Sequence, residues 1–386
     1  MRIVDVCAFY SPRGGGVRTY VEQKLALAAS SGHDITILAP GDEYATVDAG
    51  PHARIVTLPA PRFPLDRKYW YFQDEAALHA ALDALEPDLV EASSPWRSAL
   101  MVANWRPEVS KVLIMHADPL SAYAYRWLGS LLPRETIDRR MDWFWQHLRK
   151  LGRLFDAVIC ASEDFAGRLS AGGMANIVTI PMGVEPGLFT PRRSDPALRA
   201  RLLDQCGLDA GATLLVAAGR LAPEKRIPML IEAATAAGQQ RPIGLVIFGE
   251  GREQGTVMRA IGGNPHIRLF QPERDRAKFA AILASCDALL HGCEAETFCM
   301  LAGEAQASGL PVIVPDRGGA ADFARGGNGI AYRAASRSDA TRAILALPPM
   351  RADAPVPATV RHMQDHFDAL FGLYRALGDA RRLQAA

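Results

Sequence analysis

Short apolar runs alternate along this chain with amphipathic stretches of helical period. In the first half the runs are Arg2–Ala8, Asp34–Leu38, Ile55–Leu58, Leu89–Ala92, Lys111–Met115, Ala157–Cys160 and Ile177–Ile180. Helical stretches such as Val17–Ser31 and Gln73–Leu85 lie between them. Continuous apolar runs of this length predict strands, and their alternation with helices predicts a parallel sheet covered on both faces. Pro181-Met-Gly-Val-Glu-Pro-Gly-Leu-Phe-Thr-Pro191 breaks the pattern and reads as a linker. The alternation then restarts, with strands at Thr213–Ala218, Ile243–Phe248, Ile267–Phe270, Ala288–His291 and Val312–Val314. Helices are predicted around Ile227–Ala237, Arg252–Ile261, Arg276–Ala284 and Thr297–Ala307. The pattern predicts two Rossmann-like α/β domains, 1–183 and 184–360, facing a central cleft. Ligands of such sheets bind beyond the carboxyl ends of the strands. A last helix, within 361–386, presents Phe367, Leu370, Phe371, Tyr374 and Leu377 on one face.

Composition narrows the function classes. The 386 residues exceed one typical core and suit two. Hydrophobic residues make up 49% and charged residues 22%, as in globular chains. A formal charge of +1 gives no reason to expect nucleic acid as a partner. The six cysteines, at 7, 160, 206, 286, 293 and 299, show no zinc spacing and read as reduced thiols of a cytoplasmic protein. The N-terminus reads as a first strand rather than a signal peptide, and no apolar run reaches bilayer-spanning length.

The most informative segment runs from Asp287 to Asp316. Within it, Glu296 and Glu304 lie eight positions apart around the start of a predicted helix. At ~3.6 residues per turn both carboxylates can face one cleft, with Glu304 about two turns in. The amides of Phe298, Cys299 and Met300 would be free helix N-terminal donors for a diphosphate or a sugar hydroxyl, and Glu304 would take a ribose diol. The segment resembles the Glu-x7-Glu signature of retaining glycosyltransferases of family 4, which have the GT-B fold. Cys299 stands where that family normally has glycine, and Met182 and Glu185 replace the asparagine and aspartate of its usual hinge.

Further segments resemble the same family in matching order. Gly219-Arg220-Leu-Ala-Pro-Glu-Lys225 matches its Gly-Arg-Leu-x-x-x-Lys element, which implies that Arg220 and Lys225 meet the donor diphosphate. Pro12-Arg-Gly-Gly15-Gly16-Val-Arg-Thr is similar to its N-terminal glycine loop; Thr19 in place of a third glycine disfavours an NAD-dependent Rossmann enzyme. His116 ends a strand where family members often carry a histidine near the transferring sugar. Gly249 lies in the turn, and Pro272 in the peptide stretch, expected beside the nucleobase. The resemblance thus makes His116, Arg220, Lys225 and Glu296 the catalytic candidates. It makes Gly15, Gly16, Arg220, Lys225, Gly249, Pro272, Phe298, Cys299, Met300 and Glu304 the donor-binding ones. It implies transfer from a UDP- or GDP-linked sugar, no required cofactor, no magnesium requirement, and a C-terminal helix packed back on the first domain.

Residues 123–155 mix aromatics with cations, among them Tyr123, Trp127, Arg139, Arg140, Trp143, Lys150 and Arg153. Two readings stay open. The stretch suits peripheral contact with the inner face of a membrane and a glycolipid acceptor. Equally, Trp143, Phe144 and Leu148 are core and the cations a wet face, which leaves a soluble sugar or small molecule as acceptor. Rival functions are a GT-B sugar epimerase or phosphorylase, and a catalytically degenerate module that binds nucleotide sugar without turnover.

Overall fold

The computed structural model describes residues 1–10, 16–63, 69–129, 131–348 and 360–385. Its strands are β1 (Arg2–Val6), β2 (Asp34–Gly41), β3 (Ala45–Gly50), β4 (Ala53–Pro59), β5 (Leu89–Ala92), β6 (Ser110–Ile114), β7 (Ala157–Cys160) and β8 (Ile177–Thr179), followed by β9 (Thr213–Ala218), β10 (Ile243–Phe248), β11 (Ile267–Phe270), β12 (Ala288–Leu290), β13 (Val312–Pro315) and β14 (Gly329–Tyr332). The first sheet has the order β3-β4-β2-β1-β5-β6-β7-β8 and the second β11-β10-β9-β12-β13-β14. All pairings are parallel except β3 with β4.

Continuity of apolar residues explains why the predicted strands appear. Ile3, Val4 and Val6 of β1 are all buried, and β10 is buried along its whole length. Two strands escaped the sequence reading. β3 is a short exposed edge strand whose small residues and Val47 stay in solvent, and β14 is a half-buried edge. The helix expected from Thr297 begins at Met300, so Glu304 sits little more than one turn in rather than two.

The helix Met363–Ala385 returns to the first sheet. Phe367, Leu370, Phe371 and Tyr374 bury the predicted face in a cluster with Ile3, Val21, Val112 and Ile159. The chain crosses itself on the way. Val184 bridges to His362, and a Cβ on Gly183 would stand 2.2 Å from the His362 carbonyl carbon. Only glycine fits that crossing.

Two buried polar groups tie this helix down. Lys24 Nζ lies 3.1 Å from Asp5 and 2.5 Å from Glu91, all three fully buried, and the Tyr374 hydroxyl donates to Glu91. His366 Nδ1 is 3.1 Å from the Pro181 carbonyl and its Nε2 is 3.3 Å from the Tyr20 hydroxyl. Nδ1 therefore donates, Nε2 accepts, and the ring is neutral; burial pushes its pKa down to about 4. The unfolded chain takes up this proton near pH 6.5 while the folded chain does not, so stability falls with falling pH between those values. By pH 5 the deficit is about 2 kcal/mol. His366→Gln is expected to lose less thermal stability than wild type between pH 7 and pH 5. Equal losses in calorimetry would contradict this.

Candidate active site

Outside the first glycine loop, His116, Arg220, Gly249 and Pro272 lie just beyond the carboxyl ends of parallel strands, and the other sequence-predicted site residues lie in the loops and helix that follow. Gly15 falls outside the described residues; Gly16 opens the helix Gly16–Ala26. Gly249 follows β10, and a Cβ there would stand 2.2 Å from the Gly219 carbonyl oxygen. The turns after β9 and β10 can therefore interlock only because glycine is present. Pro272 is half-buried in the turn after β11, beside the stacked rings of Phe248 and Phe270, 5.0 Å apart.

The turn after β9 presents the cations. Arg220 is 70% exposed, and the described structure shows it in one ion pair, 3.0 Å from Glu224. A single 3-10 turn, Pro223–Lys225, followed by left-handed Arg226 at φ 51°, sends Lys225 inward. There its ammonium forms an ion pair with Glu296. Burial would lower the lysine pKa, but Glu296 overrides it and the ammonium is held charged. Burial likewise would raise the Glu296 carboxyl; Lys225 outweighs it and holds the group ionised. His291, buried, brings Nε2 to 3.6 Å from Glu296.

Phe298 and Cys299 precede the helix they were expected to open. Cys299 is left-handed, at φ 76°, and its carbonyl accepts from Ala302 and Gly303. Met300 is the first helical residue. Phe298 is buried edge-on against Phe323, and a Cβ on Gly319 would stand 2.5 Å from the Phe298 nitrogen. Phe298 thus lies ahead of the helix N-terminal turn in which its amide was expected, and Cys299 caps the helix rather than starting it. Glu304 is buried and accepts from Arg276 at 2.8 Å. Burial raises its pKa and Arg276 opposes that.

The first domain supplies the facing wall. His116 sits beyond β6, and its carbonyl accepts from the Thr297 hydroxyl at 3.1 Å. Its ring is edge-on to Tyr20, 4.7 Å between centroids, and Nε2 has no hydrogen-bond partner among the described residues. Burial pushes its pKa down to about 4, so the imidazole is neutral at physiological pH.

Sequence reasoning missed the acidic partners across the cleft. Glu224 binds Arg126 at 2.8 Å, and Glu294 binds Arg134 at 3.0 Å and Arg226 at 2.5 Å. Arg126 and Arg134 belong to the aromatic and basic stretch, yet they turn toward the second domain. Phe144 and Leu148 are core, whereas Trp143, Trp127, Tyr123 and Leu131 are exposed. Thus Lys225 pairs with Glu296, the adjacent Thr297 reaches across to the backbone carbonyl of His116, and Arg220 stays exposed.

Comparison with known proteins decides the lineage. The model of "Glycosyltransferase Family 4" matches residues 14–188 and that of "Glycosyl transferases group 1" matches residues 200–352. A GDP-mannose-dependent alpha-(1-6)-phosphatidylinositol dimannoside mannosyltransferase of Mycobacterium tuberculosis is 33% identical over 320 residues, 81% of this chain and 79% of that protein. The chain belongs to glycosyltransferase family 4. A second relative, the GDP-mannose-dependent alpha-mannosyltransferase of M. tuberculosis, is 29% identical over 84% of this chain and 81% of its own. Among solved structures, sucrose-phosphate synthase of Thermosynechococcus elongatus superposes with a TM-score of 0.74 at 18% identity, covering 98% of this chain and 99% of that one. Anabaena HepE in complex with UDP gives 0.70 at 16% identity, covering 97% and 100%. The fold of this family 4 glycosyltransferase is GT-B.

Proposed function

We propose that this family 4 enzyme transfers mannose from GDP-mannose, with retention at the anomeric carbon, to a hydroxyl of a phosphatidylinositol-type glycolipid. The observation that supports the reading is the Lys225–Glu296 ion pair, next to the Thr297 hydroxyl that bonds the His116 carbonyl of the first domain. The names of the mannosyltransferase relatives support the donor and the acceptor class. In this reading residues 1–183 with helix 361–386 form the acceptor unit and 184–360 the donor unit.

Arg220 is poised for the diphosphate. An exposed ion pair such as Arg220–Glu224 is worth about 0–1 kcal/mol, so its exchange for phosphate costs little. Lys225 adds a second charge, held in place by Glu296. As the bond from C1 to the phosphate oxygen breaks, negative charge grows on the phosphate and C1 becomes cation-like. Two fixed cations stabilise that state more than the ground state. The acceptor oxygen bonds C1 on the same face, and its proton passes to the departing phosphate. His116, next to Thr297 across the cleft, positions a sugar hydroxyl. Gly15, Gly16, Gly249 and Pro272 line the donor path, with the amide of Met300 at the helix start.

Glu304 takes the ribose hydroxyls beside Arg276. A hydrogen bond to a charged group is worth about 1.5–3 kcal/mol. Glu304→Ala is therefore expected to weaken GDP-mannose binding about tenfold to a hundredfold, read as a reduced thermal shift. An unchanged shift would remove Glu304 from the donor site.

Among the described residues no helix is long and apolar enough to cross a membrane. Exposed Trp127, Trp143, Tyr123 and Leu131, with the exposed cations Arg139, Arg140, Lys150 and Arg153, suit peripheral contact with anionic lipid at the inner membrane face. The double variant Trp127→Ser/Trp143→Ser is expected to float poorly with phosphatidylinositol-containing vesicles. Wild-type flotation by the variant would assign those rings elsewhere.

A further inference from the structure

Cys299 is one departure from the family pattern, and the structure gives it neighbours. It holds a left-handed φ of 76°, a conformation that favours glycine, in a buried position. Its Sγ lies 3.7 Å from His291 Nε2, and Glu296 Oε1 lies 3.6 Å from that same nitrogen. One ligand atom from each of these three residues falls within 4.8 Å of the others.

These separations suit one metal ion. A tetrahedral zinc with its usual bond lengths, about 2.0–2.1 Å to nitrogen, about 2.3 Å to sulfur and about 2.0–2.2 Å to oxygen, spaces nitrogen and sulfur about 3.6 Å apart and nitrogen and oxygen about 3.4 Å apart. One thiolate, one imidazole and one carboxylate form a borderline-soft set that matches zinc or cobalt(II) and suits magnesium or calcium poorly. We propose that His291, Glu296 and Cys299 form a zinc site, with a fourth position left to water. Binding takes Cys299 as the thiolate, its proton leaving to solvent.

The site is inhibitory by construction. Glu296 is also the partner of Lys225, and a dication on that carboxylate displaces the ammonium. This consequence rests on the assignment of Glu296 and Lys225 to the donor site; the zinc site itself does not.

Cobalt(II) titrated anaerobically into the full chain reads the site without any turnover. Wild type is expected to show thiolate-to-cobalt absorption that saturates at one equivalent and is bleached by zinc. Cys299→Gly suits the left-handed backbone and is expected to stay folded, lose the band and bind zinc at least about tenfold more weakly. Cys293→Ser, which alters a nearby buried thiol outside the trio, is expected to keep the band. No band in wild type, a band retained in folded Cys299→Gly, or one lost in folded Cys293→Ser would overturn the assignment. Zinc is further expected to suppress wild-type GDP-mannose turnover reversibly to EDTA. Turnover indifferent to saturating zinc would overturn the inhibitory role, whatever the cobalt spectrum shows.

Discussion

Lys225→Ala is expected to reduce kcat/KM for mannosyl transfer by about 10³-fold or more, with the chain folded. The size follows from what the ammonium does. It is a fixed positive charge in a shielded site, beside the place where the leaving diphosphate gains charge. Removing one preorganised electrostatic contact of this kind costs about 10²–10³ in rate. Here the loss is compounded, because Glu296 then keeps a buried carboxylate without its main counter-charge, and only His291 remains beside it. The His291 pKa, pushed down by burial to about 4, leaves that ring neutral and unable to replace the lysine. Lys225→Arg is expected to recover little, since a planar fork does not fit the space of a point charge. Initial rates with GDP-mannose, alongside circular dichroism, check this; a folded Lys225→Ala variant within tenfold of wild type would contradict it.

The second large effect is on stability. Lys24→Met is expected to cost about 3–5 kcal/mol and lower the Tm by on the order of 10 °C. Asp5, Lys24 and Glu91 have fully buried side chains, so two carboxylates share one ammonium without water. Burial first, then Asp5, pushes the Glu91 pKa up to about 7, against the pull of Lys24 and Tyr374. The sign follows directly. A carboxyl whose folded pKa is raised holds its proton longer when folded, so this group favours folding as pH falls from 7 toward 4.5. Without Lys24 the two carboxylates face one another, and the variant is expected to recover part of its lost stability at mildly acidic pH. Because Tyr374 donates to Glu91, the damage also loosens the C-terminal helix from the first sheet. Thermal unfolding at pH 7.5 and pH 5.5 reads both effects. A Tm within 2–3 °C of wild type at both pH values, roughly the effect of 1 kcal/mol, would contradict the account.

The sequence made the strand framework and the cluster of cations and carboxylates legible, and the reasons are physical. Buried parallel strands such as β7, β9 and β10 read at their exact bounds, because burial on both faces forces continuous apolar runs. β3 has only one neighbour and lies in solvent, so nothing in its composition needed to be apolar. Lys225 and Glu296 are 71 residues apart, and only the resemblance to the family joined them before the structure did. The partners Glu224 and Glu294 were not legible, since what selects them is the approach of Arg126 and Arg134 from the other domain. Cys299 stood out as a substitution for glycine, but its direction toward His291 depends on a positive φ that no periodicity encodes.

The most direct test of the central claim is transfer from GDP-mannose labelled with carbon-13 at C1 into lipids that contain phosphatidylinositol mannosides, followed by NMR of the organic phase. The account predicts label in the glycolipid with the α configuration of the donor retained, no transfer from UDP-glucose, and no signal with Lys225→Ala. Label that stays in the aqueous phase with wild-type protein, or that reaches lipid in the β configuration, would contradict it.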